Sequence, residues 1–265
     1  MTAIRLLPNA LGLPGRCQAD LVWDCLDPRR SRLVPCAVYL PAGQTRSWVV
    51  FSTGFGGNRF DYARLARGWA RAGHGVVVVE HPGSARWAAL RLLPRRYLQP
   101  GPGLRRWVYN RDCLTNRPLD LRLAVERVIR EFKPSRVVVA GHSFGAYSAM
   151  AVAGLPVPGV GDFAHPAVSA LIAISFQPPG QLFRTQDFQR LTLPALWVLA
   201  ARDDTADGTS SRERLALRQW LPTATVVVIA DSNHMDLADM GPNPRATDTL
   251  VSATLHFLDG VATSC

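Results

Sequence analysis

Lysine is nearly absent from this chain. Lys133 is the only one among the 30 basic residues, so the formal charge of +10 is carried by arginine. The arginines are spread along the chain rather than gathered into a tail, and no recognition motif accompanies them. That pattern argues against a nucleic-acid partner. Long apolar runs are missing as well: nothing approaches the roughly 18 residues of a membrane-spanning helix. The opening "MTAIRLLPNALGLPG" is interrupted by Pro8, Asn9 and Pro14 where a secretory signal needs an unbroken apolar stretch, so a soluble cytoplasmic protein is expected. The cysteines are Cys17, Cys25, Cys36, Cys113 and Cys265, with no CxxC pair and no Cys/His metal spacing. Neither a metal nor another cofactor is expected from them. Cys25 and Cys36 flank "DPRRSR" and would lie near each other across a hairpin; without an export signal, reduced thiols are expected rather than a disulfide.

What is present is a globular composition. At 265 residues and 48% hydrophobic content, the chain fits one domain with a substantial core, residues 1–265. "DLVWDCL" and "RLVPCAVYLP" read as two strands joined by a short polar turn. "SWVVFS", "HGVVVVEHPG", "RVVVAGHS", "VSALIAIS", "LPALWVLAARDD" and "TATVVVIADSNH" read as further strands. The valine runs are those of strands buried on both faces of a parallel sheet. Between them, "RFDYARLARGWARAG", "RPLDLRLAVERVIREF", "GAYSAMAVAG", "SSRERLALRQWL" and "TDTLVSATLHFLDGV" carry helical patterns. The expectation is an α/β fold with a mainly parallel sheet, an antiparallel N-terminal hairpin and helices on both faces.

The chemistry concentrates at Gly141-His142-Ser143-Phe144-Gly145, between an apolar strand and a small-residue helix. A strand-to-helix turn this tight lifts the central serine above the sheet. It needs small residues two positions before and after, so that strand and helix do not collide. A serine hydroxyl needs a base, and on this frame the acid and then the histidine follow the nucleophile in chain order. Downstream lie only His165, His234 and His256. His165 precedes a strand, at the wrong end of the sheet, and His256 sits inside the last helical pattern. His234 follows a strand, in the loop "DSNHMD", where catalytic groups gather. For the acid, "LWVLAARDDTAD" offers Asp203, with Asp204 as the alternative; Asp207 reads as a helix cap before "SSRERL". The N–H groups of Phe144 and of Phe55, in the glycine-rich "TGFGG", complete a two-donor oxyanion pocket.

With these residues in place, the chain resembles the α/β-hydrolase superfamily. Within it, the chain is most similar to the platelet-activating-factor acetylhydrolase family and to bacterial proteins labelled predicted dienelactone hydrolases. The resemblance runs from about Asp20 to His234 and rests on the opening hairpin, the block Val49–Ser84, "NRPLDLRLAVERV" and "GHSFGAYSA". It implies a Ser143–Asp203–His234 esterase with oxyanion donors at Phe55 and Phe144, acting on a small-molecule ester without a cofactor. Acyltransferase or thioesterase chemistry on the same triad, or ligand binding on a hydrolase scaffold, are the alternatives. Three departures stand out. Thr53 occupies the usual histidine position before the glycine, Ala146 replaces a common glycine, and Ser143 stands where true dienelactone hydrolases use cysteine.

Residues 84–115 read as an insertion beside the site. From Arg86 to Arg111 this segment holds seven arginines, two tryptophans and two tyrosines, and no acidic residue. The plain reading is a solvated basic face. The sharper one is a lid contacting anionic substrate or a phospholipid surface, with arginines snorkelling above aromatics.

Overall fold

The computed structural model describes residues 5–6, 19–87, 90–91, 102–221 and 224–263. The strands are β1 (Arg5–Leu6), β2 (Leu21–Asp27), β3 (Arg32–Tyr39), β4 (Ser47–Ser52), β5 (His74–Val79), β6 (Val137–His142), β7 (Val168–Ile174), β8 (Ala195–Arg202) and β9 (Thr225–Asn233). They form one sheet in the order β1-β2-β3-β5-β4-β6-β7-β8-β9. The first three run antiparallel, and β3 meets β5 antiparallel; from β5 through β9 every neighbouring pair is parallel. The antiparallel hairpin and the parallel sheet are both as the patterning implies.

Every residue of β4, β5 and β6 is buried. Alternate residues serve two cores. Val50, Val77 and Val139 face one core with Leu121 and Val125 of α3 (Arg111–Phe132) and Tyr147 and Met150 of α4 (Phe144–Val152). Val49, Val78 and Val138 face the other, with Leu65 and Trp69 of α1 (Ala63–Arg71) and Leu250 and Leu258 of α7 (Pro244–Thr263). Between these helices come α2 (Pro102–Val108), α5 (Ser211–Leu215) and α6 (Leu217–Trp220). Because both faces are apolar, polarity alone cannot fix strand register, and shape takes over. Gly75 lies opposite Trp48, and a Cβ there would strike the indole ring.

Helix α3 departs from expectation. It begins at Arg111, six residues before "RPLD", capped by the Asn110 side chain, which accepts the Cys113 N–H at 2.9 Å. Residues 111–115, assigned above to the insertion, therefore belong to this helix. Pro118 sits inside it and supplies no N–H to the Leu114 carbonyl. The Tyr147 hydroxyl donates to that carbonyl instead, at 2.7 Å. Lys133 closes α3 in the left-handed conformation, φ 46°, just before Pro134.

Cys25, Cys36 and Cys113 are free, buried thiols. Cys25 lies opposite Val34 and Cys36 opposite Trp23, so the two are diagonal rather than facing partners. Cys17 and Cys265 lie outside the described residues.

Candidate active site

The turn between β6 and α4 holds Ser143 at φ 55° and ψ −124°. A side-chain-bearing residue there costs about 1–3 kcal/mol unless its surroundings enforce it. Three bonds do so. The Ser143 N–H donates to Ile174 O at 2.9 Å, and its carbonyl accepts the Ala146 N–H at 2.9 Å and Gln177 Nε2 at 3.0 Å. The flanking glycines are required by contact. A Cβ on Gly141 would land on the Gly145 carbonyl, and one on Gly145 would land on the Ser52 carbonyl at the end of β4. Thus the elbow is wedged between two strand ends, and Ser143 Oγ makes no hydrogen bond among the described residues.

Asp203 and His234 come together after β8 and β9. Asp203 is fully buried, and its Oδ1 accepts from His234 Nδ1 at 2.7 Å. Its second oxygen accepts the Ala200 N–H at 3.2 Å, and Arg214 Nη1 lies 3.7 Å from Oδ1. Burial alone would raise this carboxyl. The His234 bond and the Arg214 charge outweigh burial and hold it down at about 2. With Nδ1–H engaged, His234 presents Nε2 as its free acceptor.

His142 ties this histidine to the elbow. The His234 carbonyl can only accept, so the neutral His142 ring carries its proton on Nε2. Its Nδ1 accepts from Tyr62 Oη at 3.0 Å, while the Gly54 N–H donates to that same oxygen at 3.1 Å. His142 Nε2–H then donates to the His234 carbonyl at 3.1 Å, and the two imidazoles lie 4.7 Å apart. Burial, together with the neighbouring His234, drives the His142 pKa well below its usual value and keeps the ring neutral. One chain of hydrogen bonds thus connects the loop after β4, the elbow and the His234 loop.

Phe55 follows Gly54 in that first loop, and its ring lies 6.4 Å from the ring of Phe144. The N–H of neither residue donates to another group among the described residues, whereas Thr53, Gly54, Gly56 and Gly57 all use theirs.

The other candidates lie elsewhere. Asp204 is exposed and accepts the Ser211 N–H at 3.2 Å. Asp207 does not cap α5; Ser210 does, in a reciprocal bond with Glu213. Instead Asp207 accepts from Tyr109 Oη at 3.0 Å and Thr205 Oγ1 at 2.5 Å, while Arg105 Nε binds its carbonyl at 2.8 Å. The last part of the expected insertion therefore packs on the loop after β8, with the Tyr109 ring edge-on to Phe144 at 4.9 Å. Residues 88–89 and 92–101 of that segment lie outside the described residues. His165 precedes β7 and His256 is exposed on α7.

A second Ser–His–Asp chain exists. Ser52 Oγ lies 2.7 Å from His81 Nε2, and His81 Nδ1 lies 3.2 Å from Asp120 Oδ2. All three are fully buried, so no substrate reaches them. Sequence reasoning missed this chain, and also Tyr62, His142, Gln177 and Arg214. Only His142 carried a signal, as the variable residue inside the serine motif.

Among the described residues, no cluster of His, Cys, Asp and Glu is arranged to hold a metal ion, and no helix is long and apolar enough to cross a membrane. No family model and no curated protein matches the chain. Solved structures do. An α/β serine hydrolase without a lid from Xanthomonas campestris is 19% identical with a TM-score of 0.62, covering 97% of this chain and 100% of its own. A putative dienelactone hydrolase from Klebsiella pneumoniae is 14% identical with a TM-score of 0.63, covering 90% and 98%. A thermostable carboxyl esterase from Bacillus coagulans is 13% identical with a TM-score of 0.64, covering 87% and 95%.

Proposed function

Starting from a chain that has the α/β-hydrolase fold, we propose that it is a serine hydrolase that cleaves carboxylic esters through an acyl-enzyme on Ser143. One observation carries the reading: the 2.7 Å bond from His234 to the buried Asp203, on the loop wired through His142 to a serine in strained backbone geometry. The esterase named among the structural neighbours is in keeping with it.

In this reading His234 Nε2 takes the Ser143 proton as Oγ attacks the ester carbonyl. Asp203 holds the imidazole in the needed tautomer and stabilises the imidazolium. The Phe55 and Phe144 N–H groups, unspent in the resting protein, receive the developing oxyanion. His234 then protonates the leaving alkoxide. Water, deprotonated by the same imidazole, releases the acid and restores Ser143.

The test is a fluorophosphonate label mapped by mass spectrometry, with a chain-length series of nitrophenyl esters. Labelling at Ser143, and loss of both labelling and turnover in Ser143→Ala, are expected. Labelling at another residue, or unchanged turnover in the variant, would overturn the proposal. Product that forms only with an added alcohol or thiol acceptor would make it an acyltransferase instead.

A further inference from the structure

The "RPLD" stretch puts two charged residues, Arg117 and Asp120, one turn apart on α3, with 1% and 0% exposure. Asp120 is well matched. It binds Arg30 Nη1 and Arg32 Nε, each at 2.8 Å, and His81 at 3.2 Å. Arg117 is not matched. Among the described residues it makes no ion pair, although an unpaired buried charge is costly. Its fork reaches three separate segments. Nη2 donates to the Thr53 carbonyl, Nη1 to Ser84 Oγ at 2.5 Å, and Nε to Ser148 Oγ at 3.4 Å. Its Cζ also lies 4.5 Å from the centre of the Phe144 ring.

These partners are informative. Thr53 stands two residues before Phe55, Ser148 lies one turn into α4, and Phe144 carries the second free N–H. Every group that Arg117 touches is neutral; Asp120 acts on it only from a distance, and that carboxylate is already bound by Arg30, Arg32 and His81. We infer that Arg117 is the positioning residue of the oxyanion pocket: its fork holds the Phe55 loop and the Phe144 elbow in register, and its charge favours an anion that forms between them. The inference rests on the serine-hydrolase reading above. Lysine cannot reproduce the fork, because an ammonium lacks three planar donors. Burial lowers the Arg117 pKa to about 10, which leaves the guanidinium charged at neutral pH.

The experiment uses the full chain and a trifluoromethyl ketone with a labelled carbonyl carbon. Its hemiketal with Ser143 is followed by NMR through the titration of its oxyanion. In Arg117→Met the oxyanion pKa is expected to rise by about one pH unit or more, since a nearby positive charge is lost. With a nitrophenyl ester, kcat is expected to fall roughly tenfold or more while KM changes little. Arg117→Lys keeps the charge and loses the fork. It is expected to leave the hemiketal titration near the wild-type value while kcat still falls, and it covers the case in which the methionine variant does not fold. An Arg117→Met hemiketal titrating like wild type, or wild-type turnover in Arg117→Lys, would overturn the inference. Failure of the wild-type protein to form any hemiketal would instead remove the serine-hydrolase reading, and this inference with it.

Discussion

Asp203 is buried and bonded to His234 at 2.7 Å, whereas its neighbour Asp204 is exposed and accepts only a backbone N–H. Both residues lie just past the end of β8, and only Asp203 turns inward, where His234 and Arg214 meet it. Asparagine at 203 is close to isosteric but reverses the imidazole tautomer. Asp203→Asn is therefore expected to lower kcat by roughly 10³–10⁴, while Asp204→Asn stays within about threefold of wild type. Steady-state kinetics on one nitrophenyl ester checks both; a larger loss at 204 would transfer the acid role there. With its pKa held near 2, Asp203 remains ionised through the whole working pH range.

At the scale of elements, α3 is the clearest case of sequence and structure parting. A proline in mid-helix normally costs about 3 kcal/mol. Here the carbonyl it leaves free, that of Leu114, receives the Tyr147 hydroxyl from α4. Tyr147→Phe is expected to destabilise wild type by about 1 kcal/mol. The same change should cost less in Pro118→Ala, where a backbone N–H reaches that carbonyl. A double-mutant cycle in urea measures the coupling, and strict additivity would refute it.

The closed Ser52–His81–Asp120 chain joins β4, the end of β5 and α3, and it carries a pH dependence. Burial, more than the nearby Arg117 charge, depresses His81 to about 4. Between that value and the roughly 6.5 of an unfolded histidine, the unfolded chain binds a proton that the folded one refuses. Stability is thus expected to fall as pH drops through this window, by up to about 3 kcal/mol from this residue. Asp120, whose pKa is depressed by His81 and Arg32 against its burial, loses its contribution only below the usual carboxylate range. His81→Asn should flatten the slope in urea unfolding at a series of pH values, though His142 acts in the same direction. An unchanged slope would show that His81 is not buried neutral.

Over the whole molecule, the legible features were those written in local patterns. The valine runs gave the parallel sheet, and the glycines flanking Ser143 gave the tight strand-to-helix turn, because both depend on near neighbours in sequence. The pairing of His234 with Asp203 was legible from their places after strands. The supports were not. Arg117 meets Thr53 across 64 positions, and Tyr62 meets His142 across 80, separations that leave no periodic trace.

The basic segment 86–111 acts at the scale of the whole molecule. Arg86 and Trp87 are exposed, Trp87 at 78%, as are Leu90, Arg91, Arg106 and Trp107. If this surface meets lipid, vesicles containing anionic lipid should bind the protein, salt should release it, and Trp87→Ala should weaken it. Absent or salt-insensitive binding would leave a solvated basic face.

The lone lysine has a practical use. Lys133 is exposed just ahead of β6, whereas Ser143 follows that strand, so the two lie at opposite ends of it. Amine-directed coupling, with the α-amino group blocked, would tether every molecule to a bead or sensor chip by one point on its rear. The mouth of the elbow would then face the solution in a uniform orientation.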